Sequence, residues 1–255
     1  MNAPLKSINC GGRLISLGSP IVMEIVNITP DSFFEHGIKD NLSGDIIDVG
    51  GCSTRPNAEY ATEAEEWQRL DYGLNLIRSQ YIDAIISVDT FRPSIAIKSI
   101  EKYGVNIIND VSGGCEEMFK VTAKYGVPYI LTFNEVIPKE SSVVACALKF
   151  FADRIQRLCE LGQNDIIIDP GFGFNKTIDQ NFELMNNLEQ LKILGRPLLV
   201  GISRKSMIFK TLGGEAKDAL NGTTVLNTIS LTKGADILRV HDVKEARECI
   251  GLIKR

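Results

Sequence analysis

Histidine and tryptophan are nearly missing from this chain of 255 residues, which holds two histidines, His36 and His241, and one tryptophan. A histidine-built metal site is therefore excluded in practice, because such sites draw two or three imidazoles together. No Cys-x-x-Cys pair or zinc-type spacing links the six cysteines, Cys10, Cys52, Cys115, Cys146, Cys159 and Cys249. They read as reduced thiols in a reducing compartment. No apolar run reaches the roughly 20 residues that span a bilayer, and the N-terminus has no signal-peptide core. The expected location is cytoplasmic. Large charge excess is absent too: the net charge of −4 offers no broad surface for nucleic acid or anionic lipid. No G-x-S-x-G, phosphate-loop or H-E-x-x-H pattern occurs, so the corresponding hydrolase, ATPase and zinc-protease readings fall away.

What the chain does have is a rhythm. Eight short apolar runs each end on a polar or charged residue: IVMEIVNIT, DIIDVGG, AIISVDT, NIINDVSG, PYILTFN, DIIIDPG, PLLVGISRK and ADILRVHDV. Helix-length stretches separate most of them, and alternating strand and helix signals argue for a parallel sheet. Eight such units, in a chain of typical length for the fold, predict one (β/α)8 barrel over residues 1–255. Helices are expected from Thr62 toward Ile77, over Ser94–Tyr103, Ser141–Leu161, Thr177–Leu194 and Thr223–Lys233, several of them stopped by a glycine. Gly11-Gly12 predicts a hairpin that plugs the N-terminal end of the barrel. Only residues 30–45 separate the first two strands. Either the first helix is shortened almost to nothing, or further residues belong in that span.

In a (β/α)8 barrel the active site gathers at the C-terminal ends of the strands. Those ends carry Asn27, Asp48, Asp89, Asn109 with Asp110, Asn134, Asp169, Ser203 to Lys205, and Arg239 with His241. One buried acid alone is as readily a structural cap as a catalytic group, but four at strand ends mark a site. Asp169 precedes a tight Pro-Gly loop and is placed to accept two parallel hydrogen bonds, as a 2-aminopyrimidin-4-one ring would offer. Arg239 and His241 share one side of their strand and form a candidate anion clamp with the Ser203–Ser206 segment. Asn27 and Asp31 offer oxygen donors for a hard cation such as Mg2+. Alternation puts Thr132 and Asn134 on one side of the fifth strand and Phe133 on the other.

Taken in order, NCGGRLISLGSP, NITPDSF, IIDVGGCSTRP, SVDT, NIINDVSGG, DPGFGF, GISRKS and RVHD resemble the dihydropteroate synthase family over nearly the whole chain. The resemblance implies a transferase of folate biosynthesis. It would condense 6-hydroxymethyl-7,8-dihydropterin diphosphate with 4-aminobenzoate on a barrel, with Mg2+ and as a homodimer. It also implies roles. Asp89, Asn109 and Asp169 would hold the pterin edge, Lys205 its carbonyl side, and Arg239 the ring and diphosphate with His241 beside it. Asn27 and Asp31 would hold Mg2+. Phe33, Thr54, Arg55, Pro56, Phe174 and Ser206 would form the aminobenzoate pocket. Four features depart from the family pattern: Glu24 in place of a usual glycine, Cys52 at an often acidic position, LTFNEV in place of a Met-His-Met run, and the short 30–45 span. They leave open a degenerate pterin-binding paralogue with little turnover, with Asn134 expected to make the pterin floor more polar. Pterin-dependent methyl transfer is a third reading, opposed by the SRKS and RVHD segments, which that chemistry does not need.

Overall fold

The computed structural model describes residues 6–28, 41–52 and 61–253. A two-stranded antiparallel hairpin, β1 (Ser7–Cys10) and β2 (Arg13–Ser16), comes first. Gly11 and Gly12 turn it, both at positive φ (63° and 87°), which side chains rarely adopt. Eight parallel strands follow: β3 (Ile21–Asn27), β4 (Ile46–Gly50), β5 (Ile86–Asp89), β6 (Ile107–Asp110), β7 (Tyr129–Thr132), β8 (Ile166–Asp169), β9 (Leu199–Val200) and β10 (Ile237–Val240). Their spatial order, β8-β7-β6-β5-β4-β3-β10-β9, is sequential. A parallel bridge between Ile168 and Leu198 closes β8 onto the entry to β9. The expected barrel is therefore present.

Helices α1 (Glu63–Gln80), α2 (Pro93–Tyr103), α3 (Glu116–Tyr125), α4 (Val143–Glu160), α5 (Ile178–Asn186), α6 (Ser206–Leu212), α7 (Leu220–Thr232) and α8 (Val243–Ile253) surround it. Thr62 opens α1 with a reciprocal capping box to Glu65. The helix expected from Thr177 to Leu194 is instead broken. After α5, a tighter 3-10 segment runs over Leu188–Leu194, and Gly195 ends it in the left-handed conformation. Among the described residues no helix is long and apolar enough to cross a membrane.

Strand alternation divides the barrel into two cores. Outward-facing Val49, Val88, Ile108, Leu131, Ile168, Val200 and Leu238 pack against the helices. Inward-facing Met23, Ile46, Ile107, Ile130, Ile167, Leu199 and Ile237 fill the lower barrel, joined from below by Ile8, Cys10 and Leu17. The hairpin does plug the N-terminal end. Hydrogen bonds seat it: Lys6 Nζ donates to Asp236 Oδ2 (2.7 Å), Asn9 N to Asp165 Oδ1 (3.2 Å) and Arg13 Nη1 to the Asp83 carbonyl (3.1 Å). Each fully buried aliphatic side chain contributes about 1.5–3 kcal/mol, so this dry floor fixes the barrel's shape beneath the polar layer. No disulfide joins the six cysteines.

The shortened first helix falls on residues 29–40, outside the described residues; the described remainder, 41–45, is not helical. Glu24 belongs to this span rather than to the site. It lies on the outer face of β3, 1% exposed, and its Oε2 accepts from Ser43 N (2.8 Å) and Gly44 N (2.9 Å). A Cβ at Gly44 would come within 2.6 Å of Glu24 Cβ. The departure at Glu24 is thus an anchor for the short link, turned away from the barrel interior. Glu24→Ala is expected to lower stability by about 1–3 kcal/mol through loss of these charge-assisted bonds. Denaturant unfolding measures this, and ligand affinity at the strand ends is expected to stay unchanged.

Candidate functional site

Two residues beyond the apolar floor, the same inward alternation brings up Asp48, Asn109, Thr132, Asp169 and Arg239. Arg239 reaches across from the last strand. Its Nε donates to Asp48 Oδ2 and its Nη2 to Asp89 Oδ2, each at 2.7 Å. Asn109 Nδ2 donates to the same Asp48 oxygen (3.1 Å). Asp48, Asp89 and Asn109 are all buried. Two carboxylates therefore share one guanidinium, and one negative charge is left over. Burial pushes Asp89 up to about 7, against the pull of Arg239 and with help from Asp48, Asp110 and Asp169. Burial disfavours the charge on Arg239, but Asp48 and Asp89 hold its pKa above the ordinary value.

Asp169 ends β8, and its Oδ1 accepts from Gly171 N (2.8 Å). Burial raises its pKa, with Lys205 and the Gly171 amide acting the other way. Gly171 is obligatory: φ is +68°, and a Cβ would sit 2.1 Å from the Phe133 carbonyl oxygen. The loop after it supplies the neighbours of Lys205. Lys205 Nζ donates to the Phe172 carbonyl and stands 4.5 Å from the centre of the Phe174 ring. Burial lowers Lys205 to about 8 despite Asp169 nearby. Lys176 braces this loop from the other side. Its Nζ donates to the carbonyls of Phe133 (2.8 Å), Gly171 (3.0 Å) and Phe174 (3.1 Å) and lies over the Phe133 ring. Burial lowers Lys176 to about 7.

Several sequence expectations change here. Arg204 does not face the site; its guanidinium forks onto Asp242 (2.9 and 2.6 Å), leaving Lys205 to represent that segment. Asp110 is structural. As the neighbour of inward-facing Asn109 it points outward, accepting from Ser112 N (2.8 Å), Ser112 Oγ (2.6 Å) and Tyr129 OH (2.9 Å). His241 Nδ1 lies 3.0 Å from Ser203 Oγ. Arg239 is engaged by Asp48 and Asp89. Asn134 is not the floor. It sits at the rim, where its Nδ2 donates to the Val111 carbonyl (2.8 Å) and its Oδ1 accepts from Asn175 (2.8 Å), tying three loops together.

Phe174 and Ser206 lie beside Lys205, Phe174 as its ring contact and Ser206 as the first residue of α6. Asp31, Phe33, Thr54, Arg55 and Pro56 lie outside the described residues. Asn27 ends β3 at the rim, and its Oδ1 would be 3.3 Å from a Cβ at Gly50. Among the described residues no group of three or more histidine, cysteine, aspartate or glutamate side chains is arranged to hold a metal. Of the two residues expected to hold Mg2+, only Asn27 lies among the described residues, where it offers one neutral oxygen donor at the rim. The sequence reading missed Lys176 altogether. Its signal was a lysine closing a glycine-rich loop, ambiguous until the loop folds around it.

A family model for pterin binding enzymes matches residues 23–241. The chain belongs to that family. More particularly, its curated relatives are dihydropteroate synthases. That of Streptococcus pyogenes is 35% identical, covering 96% of this chain and 98% of its own. That of Clostridium beijerinckii is 39% identical, with 94% and 93% covered. Among solved structures, Xanthomonas albilineans dihydropteroate synthase with 4-aminobenzoic acid superposes with a TM-score of 0.90 at 31% identity, covering 98% of this chain and 97% of that one. The Clostridium difficile enzyme in the presence of pteroic acid gives 0.84 at 33% identity, with 93% and 98% covered.

Lys205 makes the site pH-dependent in a defined direction. Its ammonium is present below about 8 and lost above it. Affinity for a ligand that accepts from Lys205 is expected to fall as pH rises through about 8. Stability moves the opposite way. Between about 8 and the ordinary lysine value of 10.5 the unfolded chain binds more protons, so this group makes unfolding harder as pH rises. Titration calorimetry across pH 7–10 tests the affinity limb, and Lys205→Arg is expected to remove it because a guanidinium stays charged.

Proposed function

We propose that this chain is a dihydropteroate synthase, a transferase of folate biosynthesis that joins 6-hydroxymethyl-7,8-dihydropterin diphosphate to 4-aminobenzoate and releases pyrophosphate. The observation that carries the reading is the polar layer of Asp48, Asp89, Asn109, Asp169, Lys205 and Arg239 on the dry barrel floor. In this reading Asp169 and Asn109 bind the polar edge of the pterin, Asp169 accepting two N–H bonds. Lys205 donates to the carbonyl side and Phe174 walls the ring. The reaction is a displacement at the exocyclic methylene carbon. The C–O bond to the diphosphate breaks, the 4-aminobenzoate nitrogen forms the new C–N bond, and its proton leaves to solvent.

Positive charge grows on the methylene carbon as the leaving group departs. The excess negative charge among Asp48, Asp89 and Arg239 stabilises that charge through the ring, while Arg239 and Lys205 face the departing anion. His241, oriented by Ser203, adds a polar group on the same side. Asn27 and Asp31 would hold Mg2+, which when bound neutralises diphosphate charge. Phe33, Thr54, Arg55, Pro56 and Ser206 would receive the aminobenzoate. No enzyme nucleophile is required, because the amine attacks directly.

The paralogue reading rested on Asn134, Glu135 and the short first helix. Asn134 braces loops, and Glu135 accepts from Arg154 Nη2 at 3.0 Å. Neither removes a group the displacement needs. Absent disulfides suit a reducing cytoplasm. A homodimer formed through the C-terminal helices is what the family resemblance implies; light scattering is expected to give twice the chain mass.

Pyrophosphate release from both substrates with Mg2+ is the direct test. Turnover is expected, whereas pterin binding without turnover would favour the paralogue. Asp169→Asn is expected to weaken pterin binding by about 2–4 kcal/mol, since a charged two-point acceptor becomes a neutral one with a mismatched donor. Calorimetry reads this loss, and an unchanged dissociation constant would remove Asp169 from the site.

A further inference from the structure

Arg204 holds a backbone conformation that its residue type does not favour. Its φ is +55°, in the left-handed region. Lys205 N donates to the Ile202 carbonyl (3.2 Å), which closes a four-residue turn with Arg204 in the third place. A positive φ there marks a type II turn, where glycine is usual. The other described residues besides glycine with positive φ have evident reasons. Asn41 and Asn175 are asparagines, which tolerate the region, and Glu140 lies on an exposed loop. Arg204 shares neither reason. Such a residue keeps its conformation only where the surrounding contacts over-determine it.

Those contacts are present. The guanidinium forks onto Asp242 at the start of α8, Nε to Oδ2 (2.9 Å) and Nη2 to Oδ1 (2.6 Å). A two-point pair of this kind fixes direction as well as distance. Arg204 N donates to Thr223 Oγ1 on α7 (3.1 Å). One residue earlier, Ser203 Oγ accepts from His241 N (3.3 Å). The turn is therefore tied to the segment between β10 and α8 at two successive residues. Lys205 comes next and has little room. A Cβ on Gly173 would meet Lys205 Cδ at 3.2 Å, so the lysine stem runs close past the loop after β8. At the end of that stem, Nζ donates to the Phe172 carbonyl.

We propose that Arg204 is a positioning residue: its fork onto Asp242 holds the left-handed turn that aims Lys205 into the site. The proposal rests on the pterin reading above and adds to it an ion pair outside the polar layer on which pterin affinity depends. Without the fork, the backbone at 204 relaxes toward the negative φ that a side chain prefers. Lys205 is the first residue such a change would swing. Misplacing a site group by about 1 Å is costly out of proportion to the distance. A glycine would keep the turn without the fork, because it adopts positive φ freely. That difference separates the turn from the charge.

The test uses 6-hydroxymethylpterin as a calorimetric probe. Arg204→Ala is expected to bind it about tenfold more weakly than wild type. In a Lys205→Ala background the same change is expected to alter affinity by less than about twofold, since it acts through the lysine. Wild-type affinity should fall as pH rises through about 8, where Lys205 loses its charge, and in Arg204→Ala that fall should flatten. Arg204→Gly is expected to stay within about threefold of wild type. Asp242→Asn breaks the pair from its other end and keeps a residue suited to a helix start. It should weaken binding as Arg204→Ala does, and it serves if that variant does not fold. Wild-type affinity in Arg204→Ala overturns the proposal even where the melting temperature drops, because the pair would then serve stability alone. A tenfold loss that persists in the Lys205→Ala background overturns it too. So does an Arg204→Gly chain as weak as Arg204→Ala. A wild-type chain that fails to bind the probe at all would instead sink the pterin reading itself, a distinguishable result.

Discussion

One guanidinium holds this site together. Arg239, on the last inward-facing strand to be placed in the chain but one step from β3, reaches Asp48 on β4 and Asp89 on β5. Buried charges are tolerated only when they are paired and hydrogen-bonded, and removing one partner of such a set typically costs about 3–5 kcal/mol. Two carboxylates therefore fix where Arg239 lies, and Arg239 fixes them. Burial raises the Asp89 carboxyl within this set, with Arg239 opposing the rise and Asp48, Asp110 and Asp169 adding to it.

The rest of the molecule supports that arrangement in layers. The N-terminal hairpin and the apolar floor exclude water from below, so the charges above act at a low local dielectric. The loop after β8 sets the other wall. Gly171 permits a turn no side chain would allow, Lys176 gathers three of the surrounding carbonyls, and Lys205 takes a fourth. A loop held at so many points positions Asp169 and Phe174 before any ligand arrives, which is what preorganised recognition requires.

Departures from a family pattern have different meanings at different depths. On the outer face of β3, Glu24 compensates for a short connection. At the rim of β7, Asn134 joins neighbouring loops. One residue of the same strand, Thr132, stands inside the polar layer with its hydroxyl unanswered. Strand alternation and depth along the barrel decide which change lies in the polar layer and which in the scaffold around it.

The barrel was legible in the sequence because its signals are local: short apolar runs, helix caps and glycine stops recur, and the polar residue ending each run marks the strand end. The same reading placed Asp89, Asn109, Asp169, Lys205 and Arg239 in one site, since the fold directs every strand end to one face. Other features depended on contacts between distant segments. Asp110 and Asn109 are adjacent in sequence, yet the pleat sends one to Tyr129 and the other to Asp48. Arg204 and Lys205 look like a pair of equal cations, but Arg204 is turned to Asp242 at the start of α8. Lys176 gained its role only when β7 and the β8 loop presented carbonyls around one amine. Sequence determined which residues could be charged, buried or turned; tertiary structure decided which partner each one met, because a hydrogen bond depends on positions that hundreds of intervening backbone angles set together.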